Sequence, residues 1–147
     1  MRTELPKGGA ELLQLDVKTD NMTYKKVGIA IVFTWFLVGG TAHFIARDFF
    51  LQIIPPSLPL RMPAVYISGF FELVGALGLL FAGWRRAAGL GLFILTVLVT
   101  PANIYMWRNP QLFPSISEDL LAFRLVLQIA LLACIWWSTL PERILKS

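Results

Sequence analysis

Four stretches of about 20 predominantly apolar residues, each long enough to cross a bilayer as a helix, account for most of this 147-residue chain. They run over 27–46, 63–83, 87–107 and 119–139. A soluble domain of this length needs more polar surface than the sequence supplies: 56% of the residues are hydrophobic, 15% are charged and the mean hydropathy is +0.67. The expected fold class is all-α and integral to the membrane, a four-transmembrane-helix bundle. The domain organisation expected is an N-terminal extension at 1–26, the bundle at 27–139 and a short tail at 140–147. The polar lead of about 26 residues, followed by an apolar run longer than that of a signal peptide, predicts a retained first span rather than a cleaved leader.

Lys and Arg favour the cytoplasmic side of membrane proteins. Nine lie on one side of the predicted bundle: Arg2, Lys7, Lys18, Lys25, Lys26, Arg85, Arg86, Arg143 and Lys146. Three, Arg47, Arg61 and Arg108, lie on the other, with Arg124 inside the fourth span. This bias predicts that both termini are cytoplasmic, in the inner membrane of the cell. The formal charge of +4 is concentrated at helix ends, a pattern that fits membrane topology and not nucleic-acid binding. Trp84, Trp107, Trp136 and Trp137 fall near the span ends, where indole rings favour the headgroup region, whereas Trp35 is near mid-span.

Two connecting features have structural consequences. The outer connection RDFFLQIIPPSLPLRM (47–62) carries three prolines that exclude a regular helix in its middle. It is too apolar for a solvated loop, so it is expected to lie in the outer interface or to fold over the bundle as a lid. Pro101 removes a backbone hydrogen bond from the third span and predicts a kink there. Gly69, Gly75, Ala76 and Gly78 provide small-residue contacts for neighbouring helices in the second span. The N-terminal segment 10–17 (AELLQLDV) reads either as a short helix on the membrane surface or as an unstructured tail.

Polar groups in hydrocarbon are costly and therefore informative. Glu72 lies about nine residues, or ~13 Å, into the second span, and Arg124 about five residues, or ~8 Å, into the fourth. Gln128 is one turn below Arg124 on the same face; Asn103 and His43 lie near the outer ends of the third and first spans. The predicted topology puts all five in the outer half of the bilayer. Ser68, Glu72 and Gly75 form one helical stripe, Thr96, Thr100 and Asn103 another. Facing inward, the stripes would enclose a pocket open to the outside, with Glu72 and Arg124 expected to act as one ionic unit. For each residue there is a plainer reading: snorkelling for Arg124, an interfacial role for His43, interhelical hydrogen bonding for Asn103, Gln128 and Glu72.

Several chemistries are excluded. Cys134 is the single cysteine, so neither an internal disulfide nor dithiol chemistry is available within one chain. His43 is the single histidine, which excludes bis-histidine haem and leaves too few ligands for a zinc site; no metal centre is expected. No phosphate-binding glycine loop or Ser/His/Asp pattern is recognisable. The remaining chemistry is proton exchange, or binding of a small polar head with an apolar tail.

The stretches GGTAHF (39–44), IIPPSLP (53–59), YISGFFELVGALGLL (66–80), PANIYM (101–106) and FRLVLQ (123–128) resemble the DoxX-like family of small membrane proteins, within the broader DoxX group. The resemblance covers about 27–139. It implies a four-helix membrane protein whose bundle is lined by His43, Glu72, Asn103, Arg124 and Gln128. It also implies association with quinone-coupled or other redox assemblies, although most members have no assigned activity. The function expected is an accessory subunit of a membrane redox complex, or a binder of a lipophilic small molecule such as quinone or a lipid. An independent enzyme acting on a lipid or quinone, with Glu72 and His43 moving protons, and a membrane-protein assembly factor are the alternatives. Membrane lipids and other membrane subunits are the expected partners.

Overall fold

A computed structural model describes the backbone of residues 7–140, and side chains from residue 14 onward apart from 15, 16 and 18. The predicted termini Met1 and Ser147, and most of the tail 140–147, lie outside the described residues. Six α-helices follow in order: α1 (Lys7–Ile45), α2 (Arg47–Ile53), α3 (Arg61–Leu80), α4 (Arg85–Leu98), α5 (Thr100–Arg108) and α6 (Glu118–Thr139). Among the described residues, four segments are long and apolar enough to cross a membrane: Thr19–Ile45, Arg61–Leu80, Arg85–Arg108 and Glu118–Thr139. The chain is an all-α, multi-pass membrane protein.

Contacts between helices define an antiparallel ring in which α1 packs on α3, α3 on α4, α4 on α6 and α6 back on α1. Glycines set two of these seams. A Cβ at Gly75 would lie 2.5 Å from Leu92 Cδ2, and one at Gly78 would lie 2.8 Å from Ala88 Cβ, so only glycine lets α3 lie this close to α4. At the α1–α3 crossing, Gly40 and Gly69 face each other's backbone carbonyls.

Local chemistry explains the helix limits. Ser117 caps α6 by accepting from the Leu120 amide at 3.4 Å, and Glu118 and Asp119 follow in the first turn, where negative charge suits the helix dipole. Arg85 Nε donates to the Leu79 carbonyl at 3.0 Å, closing the tight α3–α4 turn. The third span is two helices: α4 ends at Leu98, Val99 is a turn residue between them, and α5 restarts with Pro101 in its first turn. This is the kink predicted at Pro101. The amphipathic segment 10–17 is neither a separate surface helix nor a tail, because α1 runs unbroken from Lys7 to Ile45. Its sequence between Ala10 and Val27 contains no proline or glycine to end it.

Two apolar clusters hold the bundle. Val32, Phe36, Ala76, Leu79, Leu92 and Ile135 form the first, toward the end remote from α2. Ile53, Met106, Phe113 and Leu121 form the second, where α2 folds over the bundle. The connection after α1 thus starts as a short helix, with its prolines confined to the segment after Ile53. It covers the bundle end, one of the two arrangements its composition predicts.

Candidate functional site

Between the two apolar clusters lies a cavity of about 1380 Å³, bordered by α1, α3, α4, α5, α6 and the α2 segment. His43, Glu72, Asn103, Arg124 and Gln128 all line it. The remaining wall is largely apolar. Several wall residues, including Ile31, Trp35, Val38 and Leu98, are themselves about half exposed or more, so the cavity opens sideways onto the lipid-facing surface.

The polar residues separate into two groups. The first sits on the α1–α3 seam. His43 Nε2 lies 3.6 Å from Glu72 Oε1, both side chains being nearly buried. Glycines on the opposite helix make this approach possible. A Cβ at Gly69 would lie 2.6 Å from His43 Cβ, and one at Gly40 would lie 3.0 Å from Glu72 Cβ. Each member of the pair therefore rests on a glycine of the other helix. Phe50 of α2 stacks on the His43 ring, with centroids 3.9 Å apart, and closes this corner.

Hydrogen-bond partners determine the imidazole's tautomer. His43 Nδ1 is 3.0 Å from the Val65 carbonyl oxygen, which can only accept, so Nδ1 carries the hydrogen. Ser68 Oγ, 3.2 Å from the same nitrogen, donates to the same carbonyl at 3.1 Å. Ser68, His43 and Glu72 thus resemble a nucleophile relay by composition but not by chemistry. A protonated Nδ1 cannot take the serine proton. Nε2 remains to face the carboxylate. The two atoms face each other just beyond hydrogen-bond distance, so the contact is set by how α1 and α3 pack.

The second group is a directional network on α4, α5 and α6. Arg124 Nη2 donates to Asn103 Oδ1 at 3.0 Å. Asn103 Nδ2 donates to Gln128 Oε1 at 2.6 Å. Gln128 Nε2 donates to Thr100 Oγ1 at 2.5 Å and to the Thr96 carbonyl at 3.1 Å. The α4–α5 break belongs to this network, because the Thr96 carbonyl also accepts the Thr100 hydroxyl at 3.2 Å. Each amide fixes the next, and the last link holds the guanidinium at the cavity wall.

The structure departs from the expected Glu72–Arg124 unit. No ion pair joins them among the described residues; the ionisable partner of Glu72 is His43, and Arg124 binds the neutral Asn103. Helix adjacency is the cause. α3 packs on α1 and brings Glu72 to His43, while α6 packs on α5 and brings Arg124 to Asn103. Nor does Arg124 snorkel away from the bundle. A cation costs about 2.5–3.5 kcal/mol at the centre of a span and less toward its end, so Arg124, about two turns in from the start of α6, is still costly to leave against lipid, and its place on an internal wall constrains what occupies the space beside it.

The sequence did not identify Phe50, Gly39 or Gly40 as parts of the site. The glycine pair one turn before His43 was the available signal: a Cβ at Gly39 would lie 3.0 Å from Glu72 Oε2. Trp35, the mid-span exception among the tryptophans, lines the cavity.

No curated protein matches the chain, and no solved structure does. A family model described as a domain of unknown function, DUF8561, matches residues 32–139, which include the whole polar site, and the chain belongs to that family.

Proposed function

We propose that this protein binds a lipophilic small molecule, with the polar head between the His43–Glu72 pair and Arg124 and the apolar tail along the cavity wall. The observation that carries the reading is the cavity itself. Its volume of about 1380 Å³ exceeds what a water cluster or a free headgroup needs, a few polar side chains stand in a largely apolar wall, and that wall reaches the lipid-facing surface. A quinone and a membrane lipid both have this form. The resemblance to DoxX-like proteins and the scarcity of residues outside the membrane favour a subunit serving a larger redox assembly. The Lys/Arg bias supports cytoplasmic termini, with the polar residues of the cavity in the outer half of the inner membrane.

Native-state mass spectrometry of protein extracted in mild detergent tests the reading. A bound amphiphile should persist through washing and disappear in Thr34→Trp, which fills the cavity from an exposed position on α1. Protein that is folded and free of any adduct in both forms would sink it.

A second reading, an enzyme that exchanges protons with a lipid or quinone, is favoured by two titratable groups, His43 Nε2 and Glu72 Oε1, standing 3.6 Å apart at the cavity wall. Turnover of quinols or membrane lipids that survives Glu72→Gln would remove that role.

A further inference from the structure

We propose that the head selected by this cavity is an anion, a carboxylate or phosphate on a hydrocarbon chain, and that Arg124 selects it. The inference rests on the binding reading above and specifies its chemistry.

The cation on the cavity wall is not paired with an anion there among the described residues. Glu72 is the carboxylate on that wall, and its ionisable partner is His43. Arg124 is the cation on the wall, and no carboxylate lies within 4 Å of it among the described residues. Its recorded acceptor is the Asn103 amide oxygen, which uses one of five N–H donors and supplies no countercharge.

The network around Arg124 has a direction. Arg124 donates to Asn103, Asn103 to Gln128, and Gln128 to the Thr96 carbonyl and the Thr100 hydroxyl. Every link is fixed from below, so the guanidinium is positioned before any ligand arrives. Its remaining donors require acceptors. Water supplies acceptors but no charge, and a neutral carbonyl has the same defect. A carboxylate or phosphate supplies both, with bidentate geometry. The apolar wall and its opening to lipid require the same molecule to carry a hydrocarbon chain, with Ile31, Trp35 and Val38 along its path.

The test compares palmitate, hexadecyl phosphate and hexadecanol, which share a chain and differ in head, at equal mole fraction in detergent with affinity read by native mass spectrometry. At least one anion should bind wild-type protein roughly tenfold to a hundredfold more tightly than hexadecanol, the range expected for hydrogen bonds to a charged group. A preference for palmitate identifies a carboxylate head, and a preference for hexadecyl phosphate a phosphate head. In Arg124→Gln the preference should vanish while hexadecanol binding persists; Arg124→Lys should keep part of it. If hexadecanol binds as tightly as both anions to wild-type protein, the anion assignment is wrong and the amphiphile reading stands. If folded wild-type protein binds none of the three, both fail. The wild-type comparison decides the matter even if the Arg124 variants do not fold.

Discussion

Replacing Gly69 by alanine tests how the packing of α1 on α3 creates the His43–Glu72 pair. The added Cβ would lie 2.6 Å from His43 Cβ and 3.1 Å from the Gly40 carbonyl oxygen. Carbon atoms pack at about 3.5–4.0 Å, so the two helices must separate by roughly 1 Å at their crossing. Forcing a methyl group into a filled contact costs about 1–3 kcal/mol. Alanine also gains about 0.8–1.0 kcal/mol over glycine inside a helix, so the bare change in stability understates the clash. Gly91→Ala supplies the reference, because Gly91 is also helical but nothing lies within 4 Å of its added Cβ. Unfolding by sodium dodecyl sulfate in mixed micelles should rank Gly69→Ala about 1–3 kcal/mol below Gly91→Ala. Equal stability of the two variants would refute the close crossing, and with it the support beneath His43.

Three further outcomes are expected. In double-mutant cycles, His43→Gln with Glu72→Gln should show a coupling of about 0.5–3 kcal/mol, whereas Glu72→Gln with Arg124→Gln should add to within about 0.5 kcal/mol; the reverse ranking would restore the Glu72–Arg124 unit. Gln128→Leu leaves the Asn103 amide N–H without its acceptor and removes the donor to Thr100 Oγ1, and should cost about 1–3 kcal/mol in the same unfolding assay, an unchanged midpoint counting against the network. Reporter fusions at Met1 and Ser147 should both report the cytoplasm, and either one reporting the outside would invert the assignment of the cavity's polar residues to the outer half.

Hydropathy made the number and approximate limits of the spans legible, because a bilayer imposes a minimum length on any apolar helix. The Pro101 break was legible for an equally local reason, the missing N–H. Gly75 and Gly78 could be recognised as contact residues, and they lie where α3 meets α4. The start of α1 was not legible: Lys18 to Lys26 is polar, and hydropathy cannot distinguish a polar helical extension from a tail.

For the polar site, helical spacing and depth put Glu72, Arg124, His43, Asn103 and Gln128 at comparable levels, and all five meet one cavity. The stripe of Thr96, Thr100 and Asn103 likewise appears as one bonded surface against Gln128. Partner choice was the part that failed. Charge sign recommends Arg124 for Glu72, but lateral order around the bundle decides which side chains touch, and depth carries no information about that order. The covering of His43 by Phe50 was hidden for a related reason, since an apolar interfacial segment reads alike whether it faces lipid or folds inward.

Whether the cavity holds an amphiphile is read from a density map of the protein in lipid nanodiscs. An elongated feature is expected, with its head beside Arg124 and the His43–Glu72 pair and its tail passing Trp35 toward the lipid. A cavity closed by inward movement of its walls, or one filled only by isolated waters, would contradict that occupancy.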